Sequence, residues 1–186
     1  AASEYVFPHG AGVEESMDKT RREAELEKME RVWRIFTHPF YIQNLKKNME
    51  CEKERIFCKH DVAHFLDVAR LAYILKLERG FQVEKELIYA AALLHDIGKW
   101  QQYEHKIPHE VASAEIAKDI LKVCGFNEQE RTCVITAIRG HRKGTEAGEL
   151  AEILYDADKL SRPCFACEAE KECNWSDEKK NKQIGW

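Results

Sequence analysis

Apolar residues recur at three- and four-residue intervals along most of the chain, and nowhere do they alternate with the two-residue period of a half-buried strand. Over residues 14–36 the positions Leu26, Met29, Val32, Trp33 and Phe36 fall on one helical face. Pro39 marks a break, or the first turn of a second helix reaching toward Met49. Asp61 is a candidate N-cap for a helix whose face carries His64, Phe65, Val68, Leu71, Ala72 and Leu75, and Gly80 ends it. Residues 87–95 are nearly all apolar, which predicts a helix buried on most sides and broken at Ile97-Gly98. Pro108 opens a helix to Val123 closed by Gly125, Asn127 or Glu128 opens another to about Arg139, and Glu146 begins a last one ending at Leu160. The pattern predicts an all-α, globular helical bundle.

A chain of 186 residues suits one core with a short appendage. Residues 1–13 read as a disordered tail or an expression remnant, 14–50 as N-terminal helices packing on the core, 51–162 as the core domain, and 163–186 as a Cys-rich extension. The N-terminus has neither the basic nor the apolar region of a signal peptide, and no apolar run approaches the roughly 18 residues of a membrane span. The cytoplasm is the expected compartment. Net charge is −4 with signs interspersed, so there is no basic footprint of the kind nucleic-acid binding leaves. A local cluster, His141-Arg142-Lys143, is the exception, and Arg142 there is a candidate phosphate contact. The helix over 14–36 either packs on its own domain or pairs with a second copy in a homodimer.

The sharpest chemical feature is His95-Asp96-Ile97-Gly98-Lys99, directly after the apolar run. A carboxylate at the end of so apolar a helix is costly unless a cation or hydrogen bonds compensate it. A divalent metal does so, taking nitrogen from one residue and oxygen from its neighbour. Lys99 has the reach for a phosphate oxygen. An isolated His-Asp pair would more often be a helix terminus satisfied by its own dipole. This pair has company: His64 lies on an apolar face upstream, and Asp156 and Asp158 interrupt an apolar stretch downstream.

In order and context these residues resemble the HD superfamily of metal-dependent phosphohydrolases. The likeness rests on His64 before Val68-Ala-Arg, on Leu-Leu-His-Asp-Ile-Gly-Lys at 93–99, and on Ala-Asp-Lys-Leu at 157–160. It covers about Lys59 to Ser161. The resemblance implies an HD-type bundle with His64, His95, Asp96 and Asp158 as metal ligands, Asp156 being the fallback for the last. Many members with two metals carry further histidines where His109 and His141 stand; Asp96 would then bridge, with His109 and His141 on the second ion. One or two manganese, iron, cobalt, nickel or zinc ions suit such a set. With one metal, His109 and His141 become substrate contacts or general acids. His105 reads as a loop residue near the cleft and His60 as a surface residue, or a support one helical turn before the first ligand; Trp100, Gln101, Gln102 and Tyr103 read as loop residues shaping the pocket.

The implied activity is hydrolysis of a phosphate mono- or diester on a nucleotide or other small phosphorylated metabolite. Asp96, Lys99, His109 and His141 would be catalytic, and Lys99 and Arg142 substrate-binding. The same six ligands also serve di-iron HD-fold oxygenases, and a non-catalytic metal- or nucleotide-sensing module would use them too. Fold alone does not choose. Cys164-x2-Cys167-x5-Cys173 follows Asp158, and Cys58 lies six residues before His64 as Cys164 lies six after Asp158. These four thiols are a candidate site for structural zinc or an iron–sulfur cluster, against free thiols as the ordinary state of cytosolic cysteines. Cys124 and Cys133 read as small core residues.

Overall fold

The computed structural model describes residues 29–141 and 148–185, together with Lys19, Arg22 and Glu23. The chain divides into two units, Ala1–Glu30 and Arg31–Trp186. In the first, Lys19, Arg22 and Glu23 are helical and exposed, and Met29 stands in a turn. The single helix expected over 14–36 is therefore interrupted before Glu30, and the expected tail at 1–13 lies outside the described residues.

Every regular element among the described residues is helical. The order is α1 (Glu30–Thr37), α2 (Pro39–Cys51), α3 (Val62–Arg79), α4 (Lys85–Leu94), α5 (Lys99–His105), α6 (His109–Val123), α7 (Glu128–Gly140) and α8 (Glu149–Leu160), followed by a 3-10 turn at Cys164–Ala166. Their ends follow the capping chemistry of the sequence. Asp61 accepts from the His64 amide at 3.0 Å, and Asn127 and Glu130 form a reciprocal capping box at the start of α7. Gly80 (φ 68°) and Gly125 (φ 89°) take the left-handed conformation that closes α3 and α6. One element departs from expectation: Trp100 to Tyr103 are not loop but part of α5, a seven-residue helix begun at Lys99 immediately after the Gly98 turn.

The apolar α4 is the hub. It packs against α3, α6, α7 and α8, while α3 also packs on α8, α6 on α7, and α7 on α8. Ile88, Leu93, Leu94 and Ile97 are buried there with Phe65, Ile120, Ile138 and Leu154. Each such side chain contributes roughly 1.5–3 kcal/mol by leaving water, and of α4 only Lys85, Glu86 and Tyr89 keep access to solvent. α2 packs on α5. Arg31 of α1 ties the core together, donating to Glu86 of α4 (2.7 Å) and Glu130 of α7 (2.8 Å). Among the described residues no helix is long and apolar enough to cross a membrane.

Candidate metal centre

Helix ends bring the centre together. His64 lies in the first turn of α3, His95 directly follows α4, His109 opens α6, His141 directly follows α7, and Asp158 lies in the last turn of α8. His95 and His141 are built alike. Each directs Nδ1 back to the carbonyl three residues earlier, Ala92 at 2.7 Å and Ile138 at 2.5 Å. With Nδ1 donating, the lone pair is left on Nε2, which points inward. His109 reaches the same state by another route, since Nδ1 sits 2.6 Å from Gln102 Oε1.

Asp96 stands among these nitrogens. Its Oδ2 is 3.4 Å from His95 Nε2, and its Oδ1 is 3.2 Å from His109 Nε2 and 3.9 Å from His141 Nε2. Asp158 Oδ1 is 3.3 Å from His64 Nε2 and 3.7 Å from His95 Nε2. Two ligand groups result: His64, His95, Asp96 and Asp158 in one, and Asp96, His109 and His141 in the other, with Asp96 common to both. His95 Nε2 and Asp96 Oδ1 are buried and have no hydrogen-bond partner. Orphaned polar atoms at such depth need an explanation. Neutral imidazole nitrogens beside carboxylate oxygens are a donor set that fits a divalent transition metal.

The electrostatics favour ionised Asp96 and Asp158 beside neutral His64, His109 and His141. Burial pushes the carboxyl of Asp96 upward, but His95, His60, His109 and Lys99 outweigh it and hold the group well below the usual carboxylate range. Asp158 behaves likewise, with His64 and His95 overcoming its burial. Burial lowers His64 to about 4, with the Arg162 and His95 charges acting in the same direction, and lowers His109 to about 4, assisted by Lys99. Burial also lowers His141. His95 moves the other way, because Asp96 and Asp158 outweigh its burial.

Several supporting residues were not singled out by the sequence. Asn48 of α2 donates to the Asp96 carbonyl (2.9 Å) and accepts from the Trp100 amide (2.8 Å), so one buried side chain bridges the two sides of the His-Asp turn. Glu52, which caps α2, accepts from the backbone amide of His60 (2.7 Å), from His60 Nδ1 (2.5 Å) and from the Tyr103 hydroxyl (2.5 Å). Arg162 is buried and donates to His64 Nε2 (2.9 Å) and Asp158 Oδ1 (3.3 Å), giving the first ligand group a resident positive charge. A metal held by His64 Nε2 would need the lone pair that Arg162 now uses. The trace of the α2 residues in the sequence is the four-residue spacing Asn44, Asn48, Glu52, which reads equally well as a solvated face.

Other candidates fall elsewhere. Lys99 Nζ lies 3.3 Å from His109 Nδ1, at the edge of the second group. Arg142 lies outside the described residues. Asp156, the alternative to Asp158, pairs with Arg79 at 2.6 Å and stays out of the cluster. His60 is buried, not at the surface, because Glu52 and Asp96 flank it. His105 ends α5 and is exposed. Cys58, Cys164, Cys167 and Cys173 are free thiols, and among the described residues the groups within ligating reach of one another are the two His/Asp groups; the structure does not assemble a cysteine site. Cys124 is buried as expected, but Cys133 is exposed, since it falls on the outer side of α7.

Residues 61–162 match the protein family described as HD domain. A protein of Clostridium beijerinckii described as uncharacterized is 48% identical over 156 residues, covering 84% of this chain and 99% of that protein. Ribonuclease Y of Clostridium kluyveri is 29% identical over 162 residues, covering 83% of this chain. Ribonuclease Y of Mycoplasma capricolum subsp. capricolum is 39% identical over 101 residues, covering 54% of this chain. The chain spans 30% and 18% of the lengths of those two Ribonuclease Y proteins. No solved structure matches the chain.

Proposed function

The chain belongs to the HD-domain family, and from that premise we propose that it is a metal-dependent phosphohydrolase with His64, His95, Asp96 and Asp158 holding one ion and Asp96, His109 and His141 a second. The observation that carries this reading is the division of one carboxylate: Asp96 Oδ2 faces His95 while Oδ1 faces His109 and His141. A shared carboxylate between two nitrogen-rich groups suits a paired centre better than a single one. When bound, the metals would supply acidified water and polarise the phosphoryl group.

The protein's own residues set the rest. The inward-facing Nε2 atoms of His95, His109 and His141 are fixed by the partners of their Nδ1 atoms, so the ligand set is oriented before anything binds. Lys99, whose Nζ lies 3.3 Å from His109 Nδ1, would offset charge that develops on phosphoryl oxygens. Arg142 has the chemistry to assist it. Gln102 and Tyr103 line an open cleft with Lys106 and Pro108, and Gln102 also holds His109. That cleft is where a nucleotide or other small phosphorylated substrate would enter.

A second substrate class has an observation behind it: two of the similar proteins bear the name Ribonuclease Y, which favours a phosphodiester in RNA. The test is hydrolysis by metal-loaded protein of an aryl phosphomonoester, an aryl phosphodiester, nucleotides and a single-stranded RNA. We expect turnover of at least one phosphate ester, lost in His95→Ala and Asp96→Asn. Turnover that survives both substitutions would contradict the reading. So would dioxygen consumption by the iron-loaded protein with no ester hydrolysed, which is the behaviour of an oxygenase.

A further inference from the structure

A row of polar groups runs from half-buried Tyr103 on α5 through buried Glu52 and His60 to the shared carboxylate of Asp96. Glu52 is 2% exposed, and neither of its oxygens is left to solvent, since Tyr103 and His60 Nδ1 meet Oε1 and the His60 amide meets Oε2. The imidazole of His60 is thereby held at one end by a carboxylate. Its other nitrogen, Nε2, lies 3.5 Å from Asp96 Oδ2. A histidine whose one ring nitrogen is fixed by a carboxylate has its second nitrogen aimed in a single direction, the arrangement by which carboxylates orient histidines around metals. His60 is nevertheless absent from both ligand groups. It meets the centre through Asp96 and, edge-on, through the ring of His64, with centroids 5.8 Å apart.

We propose that His60, held by Glu52 and Tyr103, is a positioning residue that fixes the rotation of the Asp96 carboxylate, and that the α2 segment is thereby a working part of the metal centre. The inference rests on the metal-binding reading above. Asp96 has two tasks, one oxygen to each ligand group, and a carboxylate free to turn about its own axis would serve only one of them well. Asn48 fixes the Asp96 backbone from the same helix, through its 2.9 Å bond to the carbonyl. The main chain and the side chain of Asp96 are thus anchored from residues 48, 52 and 60. All three precede the segment 61–162 that matches the family.

The test is cobalt(II) titration of the metal-free full chain, read by the visible absorption of the ion and by equilibrium dialysis, with circular dichroism as the check on folding. The native protein, His60→Gln and Tyr103→Phe are compared. The native protein is expected to bind cobalt(II). His60→Gln, folded, is expected to bind it roughly 10–100-fold more weakly, the usual effect of removing a residue that supports a ligand, and with a shifted absorption band. Tyr103→Phe, which removes one hydroxyl, is expected to move both readouts the same way by less. It decides the matter if His60→Gln does not fold. Native binding with unchanged affinity and spectrum in the folded variants overturns the role of His60 and leaves the metal reading intact. No binding by the native protein overturns both.

Discussion

At the scale of single residues, Gly98 shows how tightly the centre is framed. A Cβ there would lie 2.6 Å from the Ser113 nitrogen and 2.7 Å from the Ala112 carbonyl carbon, both main-chain atoms that cannot turn away. Gly98→Ala is expected to cost about 1–3 kcal/mol, as overpacking does, in a urea denaturation midpoint, and to push α6 and His109 outward. Glu52 gives a second prediction. Burial raises its carboxyl, but the bonds from His60 and Tyr103 outweigh that and hold it at about 2 against an ordinary 4.5. A group depressed in the folded state stabilises the fold above its unfolded value, and that stabilisation is lost as pH falls through the folded one. Thermal stability should therefore fall as pH drops from about 4.5 to 2, and Glu52→Gln should flatten the slope in that window. His95 and Asp96 stood out in the sequence because they end an apolar run, whereas His64 and Asp158 were picked out by the resemblance to the HD superfamily, since each alone reads as an ordinary core or surface residue. Glu52, Asn48 and Arg162 did not stand out, because each stands in a polar neighbourhood and only the tertiary packing of α2 and of the segment after α8 buries it.

At the scale of elements, the caps carried most of the information. Asp61, Gly80, Pro108, Gly125 and Asn127 mark helix ends by local chemistry that does not depend on distant packing. α5 was missed because seven residues are too few for a helical period to show, and its apolar partners lie on α2 and α6. The cysteines show the limit of spacing as a signal. Their spacing suggested a metal site, but spacing says nothing of whether Cys58 meets the C-terminal thiols in space. Between elements, Arg31 is the joint that a mutation can probe. Its guanidinium pairs with Glu86 and Glu130 and lies 4.4 Å from the centre of the Phe126 ring. Arg31→Ala is expected to lower stability by about 1 kcal/mol, with a smaller effect at high salt, because the pairs are partly exposed. The same denaturation series in low and high salt checks both.

At the scale of the molecule, the segment after α8 acts as a brace on the centre. The Asn181 amide donates to the carbonyls of Lys159 (2.8 Å), Leu160 (3.3 Å) and Arg162 (2.8 Å), the turn that follows Asp158. Asn181→Ala is expected to cost about 1–2 kcal/mol and to speed proteolytic cleavage beyond Pro163. The helices, their brace and the α2 layer all converge on one claim, that Asp96 is shared between two cation positions. The most direct test is metal content per chain, by elemental analysis of native protein and of the double variant His109→Ala, His141→Ala, both prepared without chelators or an affinity metal. Two divalent ions are expected in the native chain and one in the variant. Equal content in the two proteins, or no bound metal in the native chain, would contradict the sharing of Asp96.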